Sequence, residues 1–299
     1  MAEESPWARR DGAKEGELVS FEAVPPSRSG ESFFEPRTVV TADNIDLFKA
    51  GPGVGERAAH ELRKLGFRIL HVGSFSISGE APKEVWEKTF GTQVREETAP
   101  FSDTHRELGS RKFLAHVAGV PFRVPESLAG LVERAYPQRL PTFFESPIPP
   151  SLSYHYLDVP GDVSLVLRAD SVQRAGVTGR GVLVAMPDTG FYRHAFYRWR
   201  AYSYNVTIAQ DASDVETDEY GHGTAEAANI FACAPNVEFV GVKMGFNPTL
   251  AFKKAVDLQP AIITNSWGFS IPGDVLPNYL KPLEAEIIRA VKELGISVI

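Results

Sequence analysis

The sequence predicts an α/β fold, a parallel sheet flanked by helices, preceded by a small α+β domain. Three observations carry this expectation. From about Asp162 onward, short apolar runs alternate with helical stretches, the pattern of a parallel sheet with crossover helices. One run, Val182-Leu183-Val184-Ala185-Met186, is apolar throughout, as a strand covered on both faces must be. Six prolines (Pro137, Pro141, Pro147, Pro149, Pro150 and Pro160) separate this half from a region where short strands and helices also alternate.

Residues 1–36 are rich in Glu, Ser, Pro, Gly and Arg without periodicity and read as a flexible tail. The α+β domain is expected over 37–136. Thr38–Ala42 is a short β-prone run. Gly53–Gly66 reads as a helix with Ala58, Ala59, Leu62 and Leu65 on one side and Gly66 as its stop. Phe67–Ser78 reads as a strand. Pro82 opens a helix over Lys83–Phe90, with Val85, Trp86 and Phe90 facing inward. Lys112–Val117 is a further strand, and Pro125 opens a helical stretch over Glu126–Tyr136. Residues 137–161 form the Pro-rich linker, and 162–299 the α/β part. After the Val182–Met186 strand come a small-residue helix (Thr224–Cys233), a strand (Val237–Met244), a helix (Leu250–Leu258), a strand (Ala261–Trp267), a helix (Leu283–Leu294) and the start of a fourth strand (Ile296–Ile299). That last strand has no neighbour after it, so the sheet is expected to be incomplete at its C-terminal end.

Composition sets bounds on function. The apolar fraction of 43% and charged fraction of 23% exclude wholesale disorder in the 299 residues. Lys+Arg 31 against Asp+Glu 38 gives a net charge of −7, which argues against a basic nucleic-acid footprint over the whole chain. A single cysteine, Cys233, excludes a disulfide framework and CxxC metal sites. The seven histidines (60, 71, 105, 116, 155, 194 and 222) form no HxxxH pair or ligand cluster, so no metal or other cofactor is expected. No apolar run approaches the ~18 residues of a membrane span. The polar N-terminus lacks the apolar core of a secretory signal, which makes the cytoplasm the expected compartment.

Three segments could carry chemistry. Asp188-Thr189-Gly190 follows the apolar strand directly, at the end of a parallel strand where open α/β sheets place their sites; it could equally be a turn. Tyr220-Gly221-His222-Gly223-Thr224 opens the small-residue helix. The flanking glycines allow close backbone approach. A helix N-terminus disfavours an imidazolium, which a partner carboxylate would counter; the alternative is a capping histidine without a task. Ile262–Gly268 is a strand ending in small and polar residues, either a simple exit or an edge that pairs with an extended peptide.

Together these segments resemble the subtilisin-like serine proteases (subtilases). The matching residues are Gly179–Gly190 with Asp188-Thr189-Gly190 at its end, Asp218–Thr224 around His222, Ala234-Pro235-Asn236 before a strand, and Thr264–Gly268. Their order and spacing carry the match, which spans roughly residues 165–299. The resemblance implies a serine endopeptidase in which Asp188 orients and supports His222, and His222 acts first as general base and then as general acid. Ser266, Trp267 and Gly268 would line the substrate strand and the wall of the specificity pocket. Two positions depart from the family: Ala225-Glu226 stands where His-Val is usual, and Cys233 where an aliphatic residue is preferred, with core packing its expected role.

The family's oxyanion-hole asparagine and nucleophilic serine would follow the strand beginning at Ile296. No Gly-Thr-Ser occurs in these residues. The chain alone is therefore expected to be inactive, its serine coming from a continuation or a second chain. Ile77–Gly91 is similar to the strand–helix segment of the prodomains of sedolisins, relatives of subtilases. That implies a folding chaperone and inhibitor packed on the catalytic part, with the Pro-rich linker near the active site. Sedolisins use Glu at the position of His222, so the catalytic part fits subtilases better.

The partners implied are a peptide or protein substrate and the rest of the catalytic domain, with no nucleic acid and no membrane. Three rival readings stand beside this one. Ala50–Leu62 looks like a helix-hairpin-helix DNA-binding hairpin, but the surplus of basic residues from Arg37 to Arg68 is small. Asp-Thr-Gly also marks aspartic proteases, a β-rich class that the βα alternation disfavours. A non-cutting, peptide-binding subtilase relative is the third.

Overall fold

The computed structural model describes residues 18–100, 109–143 and 157–299 except 272 and 274. The first element is a strand in the stretch read as a tail. β1 (Leu18–Val24) buries Val19, Phe21 and Ala23 completely and lies inside a four-stranded antiparallel sheet. This corrects the expectation for 1–36; residues 1–17 of that stretch lie outside the described residues. Composition concealed a period-two pattern in which Val19, Phe21 and Ala23 face one side and Ser20 and Glu22 the other.

Thr38–Ala42 forms no strand: Asn44 Oδ1 accepts the Thr41 N–H at 2.8 Å in a turn that leads to a 3-10 turn at Ile45–Phe48. Helix α1 (Val54–Lys64) follows, burying Gly55, Ala58, Ala59 and Leu62. The single strand expected over 67–78 is a hairpin instead. β2 (Arg68–Val72) and β3 (Ile77–Pro82) pair antiparallel about a turn closed by Gly73 N–H to the Ser76 carbonyl at 2.9 Å. Helix α2 (Lys83–Phe90) buries Trp86 and Phe90.

β4 (Val94–Pro100) and β5 (Ser110–His116) form a separate antiparallel pair. The helix expected over 126–136 is a 3-10 turn at Glu126–Leu128 followed by β6 (Arg134–Pro137), which pairs with β1. A proline start is not enough here: a stretch closed by Pro137 gains more from edge pairing with β1 than from a short helix. The order in this sheet is β2-β3-β1-β6. One face packs Phe21 with Phe67, with Trp86 and Phe90 of α2 and with Ala58, Ala59 and Leu62 of α1.

The stretch read as a linker contributes β7 (Thr142–Phe143); its residues 144–156 lie outside the described ones. Two short helices not foreseen in the sequence, α3 (Gly161–Val166) and α4 (Ala169–Arg174), lead into β8 (Leu183–Asp188). Then come α5 (Ala195–Trp199), β9 (Tyr204–Ile208), α6 (His222–Cys233), β10 (Glu238–Lys243), α7 (Pro248–Asp257), β11 (Ile262–Ile263), β12 (Trp267–Gly268), α8 (Lys281–Leu294) and β13 (Ser297–Val298).

Five of these strands form one parallel sheet in the order β13-β11-β8-β10-β9. Alternation along β8 explains the layers. Val184 and Met186 enter a core with Ala227 and Phe231 of α6, whereas Ala185 enters another with α7 and α8. Helices thus cover both faces, as the apolar run predicts. Trp267 and Gly268 leave this sheet and pair antiparallel with β7. Cys233, at the end of α6, is half-buried.

The second face of the antiparallel sheet lies on α7 and α8. Glu22 and Lys253, fully buried, meet at 2.9 Å, and Phe33, Phe48 and Phe75 pack around Ala285. The glycine loop before α1 is flanked by Lys49, which pairs with Asp46 at 2.9 Å and Glu293 at 2.5 Å. No helix of the described residues is long and apolar enough to cross a membrane.

Candidate active site

β8 ends at Asp188, in the middle of the parallel sheet and at its C-terminal edge. Helix α6 begins at His222 on the same edge, with Gly221 in the left-handed region (φ 77°) as its N-cap. His222 Nδ1 and Asp188 Oδ1 are 2.7 Å apart, and their side chains are 3% and 0% exposed. The two candidates, 34 residues apart in sequence, are therefore one buried acid–base pair.

A glycine makes this approach possible. A Cβ on Gly223 would stand 2.3 Å from the Gly190 carbonyl oxygen and 3.0 Å from the Asp188 side chain, so the start of α6 can press against the end of β8 only without one.

The carboxylate is unevenly supplied. Asp188 Oδ1 also accepts the Thr189 N–H at 2.7 Å, whereas Oδ2 is buried and has no partner among the described residues. Burial pushes the Asp188 carboxyl up from its ordinary range; the bond and charge of His222 and the Thr189 N–H pull it back only in part. Phe143 of β7 sits edge-on to the imidazole, ring centroids 5.2 Å apart.

Asp218, the first residue of the segment around His222, organises the loop, a role the sequence does not reveal. Its Oδ1 accepts the Thr189 hydroxyl at 2.8 Å and the Gly221 N–H at 3.0 Å; its Oδ2 accepts the Thr224 N–H at 2.9 Å. Thr189 Oγ1 in turn accepts the Gly223 N–H at 3.1 Å. One carboxylate thus caps α6 and ties it to the residue after Asp188. The signal available was only an Asp a few residues before a helix start, which many caps share.

Ser266, Trp267 and Gly268 come to the same edge, with one correction. The Trp267 indole is buried in the core with Met244 and Leu250 and donates Nε1–H to the Pro187 carbonyl at 2.9 Å. It braces β8 rather than forming an open pocket wall. What Trp267 and Gly268 present is backbone, and Phe143 and Thr142 pair with it.

A cleft of about 250 Å3 beside Thr189 and Phe143 is lined by Tyr220, Asp211, Lys243 and Gly245, among others. Asp211 Oδ2 accepts the Asn247 N–H at 2.7 Å while its buried Oδ1 has no partner among the described residues, and burial pushes its carboxyl up to about 7. Among the described residues no cluster of His, Cys, Asp and Glu could hold a metal ion.

No protein-family model matches the chain, and a search of curated proteins finds no match. Among solved structures 29 chains match. One is the MycP3 protease from the type VII (ESX-3) secretion system, with a TM-score of 0.38 and 19% identity, over 54% of this chain and 50% of that one. The likeness is distant, and the chain spans about half the length of that protease.

Proposed function

We propose that this chain carries the acid–base half of a serine endopeptidase of the subtilisin type. The observation behind the reading is the 2.7 Å contact between His222 Nδ1 and Asp188 Oδ1 at the C-terminal edge of the parallel sheet. With its Nδ1–H given to Asp188, the imidazole keeps Nε2 as its basic nitrogen. It takes the proton of a serine hydroxyl as the oxygen attacks the peptide carbonyl, then gives that proton to the leaving amine. Water repeats the sequence on the acyl-serine. An under-solvated carboxylate favours this cycle, because the imidazolium that forms relieves the cost of keeping Asp188 charged in the interior. The nucleophilic serine and the oxyanion donor come from outside these residues.

In this reading the backbone of Ser266-Trp267-Gly268 is the strand that receives an extended peptide. Thr142–Phe143 already runs antiparallel along Trp267–Gly268, and Phe143 touches the His222 ring. The domain before it then acts as a prodomain, packing on α7 and α8 and holding its own following segment in the substrate position.

A fluorophosphonate probe tests the proposal on the chain assembled with the part that supplies the serine. The expected result is a labelled serine, with labelling abolished by His222→Ala and slowed on the order of 10⁴-fold by Asp188→Asn. An assembly that takes no label favours a peptide-binding relative that does not cut.

A further inference from the structure

We infer that the cleft beside Thr189 and Phe143 is a subsite for an arginine side chain of the peptide substrate. Asp211 is its specificity-determining carboxylate, and Arg111 is its resident occupant in this chain. The inference rests on the peptidase reading, which supplies the peptide.

The cleft adjoins the acid–base pair through two of its walls. Thr189 gives its N–H to Asp188, and the Phe143 ring stands edge-on to His222. A side chain seated there belongs to a peptide residue lying alongside the pair. Apart from Arg111 and Phe143, the lining comes from residues 189–246, the half of the molecule that carries the pair.

Asp211, Glu219 and Lys243 are the charged groups of that half of the lining. Lys243 uses all three ammonium hydrogens, on the Asp214 carbonyl at 3.0 Å, Thr217 Oγ1 at 2.6 Å and Glu219 Oε1 at 3.1 Å. Glu219 is thereby paired, and Asp211 is the surplus charge of the wall. Asp211 Oδ2 accepts the Asn247 N–H, while Oδ1 is buried with no partner among the described residues. The backbone at Gly245 packs directly on this carboxyl, for an added Cβ would stand 2.5 Å from Asp211 Cγ. Burial makes the Asp211 charge costly, and a cation bringing hydrogen-bond donors to Oδ1 reduces that cost.

The group already in the cleft shows which cation fits. Arg111 reaches in from β5 and is buried, with its guanidinium carbon 5.3 Å from the Phe143 ring centroid and 6.0 Å from that of Tyr220. A planar guanidinium lies on an aromatic face and still offers its edge to a carboxylate, which a point-like ammonium does less well. Tyr220 and Asp211 both belong to the half with the acid–base pair. When a substrate displaces β5 and β7, its arginine lies on Tyr220 and gives N–H groups to Asp211 Oδ1.

The test is calorimetric binding to the full chain, with N-acetylarginine amide as the probe and N-acetylcitrulline amide as an uncharged counterpart of nearly equal shape. The parent, with Arg111 in the cleft, is expected to bind neither. Arg111→Ala vacates the cleft and is expected to bind the arginine probe about tenfold more tightly than the citrulline probe, the equivalent of one charge-assisted hydrogen bond. Arg111→Ala/Asp211→Asn is expected to lose that preference. Equal binding of the two probes to Arg111→Ala, no binding at all, or a preference that survives Asp211→Asn overturns the inference. Binding of the arginine probe by the parent overturns the role of Arg111. Should Arg111→Ala not fold, Arg111→Met keeps the apolar stem and takes its place, with methylguanidinium and methylurea as the smaller pair of probes. No nucleophile takes part in these measurements. Failure here therefore leaves the peptidase reading intact, and failure of serine labelling leaves the guanidinium site intact.

Discussion

Two acid–base pairs buried among the described residues, Glu22–Lys253 and Asp188–His222, are built to opposite ends. Between the antiparallel sheet and α7, the Lys253 ammonium reaches Glu22 Oε2 at 2.9 Å, Ser76 Oγ at 2.9 Å and Ser78 Oγ at 3.0 Å, while Asn247 Nδ2 donates to the other Glu22 oxygen at 2.9 Å. Burial pushes the Glu22 carboxyl up, but Lys253 and the two hydroxyls overcome it and leave it below its ordinary value. At the sheet edge the partner is an imidazole, one Asp188 oxygen has no donor among the described residues, and the carboxyl stays above its ordinary value. Equal burial therefore gives opposite outcomes. A permanent cation with every donor used locks the charge in place, whereas a titrating partner with an unfilled oxygen leaves a proton that can be moved.

The largest effect expected from this contrast is on stability. Lys253→Ala strands a buried carboxylate and should cost about 3–5 kcal/mol in urea unfolding, with most of the loss recovered in Glu22→Gln/Lys253→Met. Asp188→Asn should change stability by less than about 1 kcal/mol, since it removes a charge that the interior already disfavours. Equal losses from the two substitutions would erase the distinction.

Asp211 sharpens it along the pH axis. Its folded value of about 7 lies above the ordinary aspartate value of 3.8, so between these pH values the folded state holds a proton that the unfolded state has released. Stability therefore falls as pH rises through this window and stays lower above it. Asp211→Asn should remove the fall, gaining about 2–4 kcal/mol at pH 8 and little at pH 4. Parallel stability–pH curves for the two proteins would count against it.

A smaller effect is expected at the contact that brings β8 and α6 together. Gly223→Ala meets the Gly190 carbonyl oxygen and should cost about 1–3 kcal/mol. It should also change the His222 ring signals, while Gly119→Ala, where an added Cβ meets nothing within 4 Å, leaves them in place.

The two pairs also differ in how far the sequence betrays them. Asp188 follows an unbroken apolar run, and His222 sits between glycines at a helix start, so each carries a local signature of position. Glu22 carries none: it lies in a polar-looking segment, and its partner is 231 residues away. The same holds for β1 as a whole, whose burial depends on β3, β6 and α7 rather than on its own composition. Val94–Pro100, with Arg95, Glu96 and Glu97 in succession, shows little of the alternation that marks a half-buried strand, and its pairing with Ser110–His116 decides its form. Trp267 was legible as a residue of the edge, but the direction of its indole was not, because the Pro187 carbonyl that fixes it belongs to another strand.

The tautomer of His222 is the most direct test of the central claim that the Asp188–His222 pair is poised to move a proton. Nitrogen-15 shifts of the ring, recorded above its titration midpoint, report which nitrogen carries hydrogen. Hydrogen on Nδ1, shared with Asp188, and a basic Nε2 are expected. Hydrogen on Nε2, with Nδ1 bare against a protonated Asp188, would contradict it.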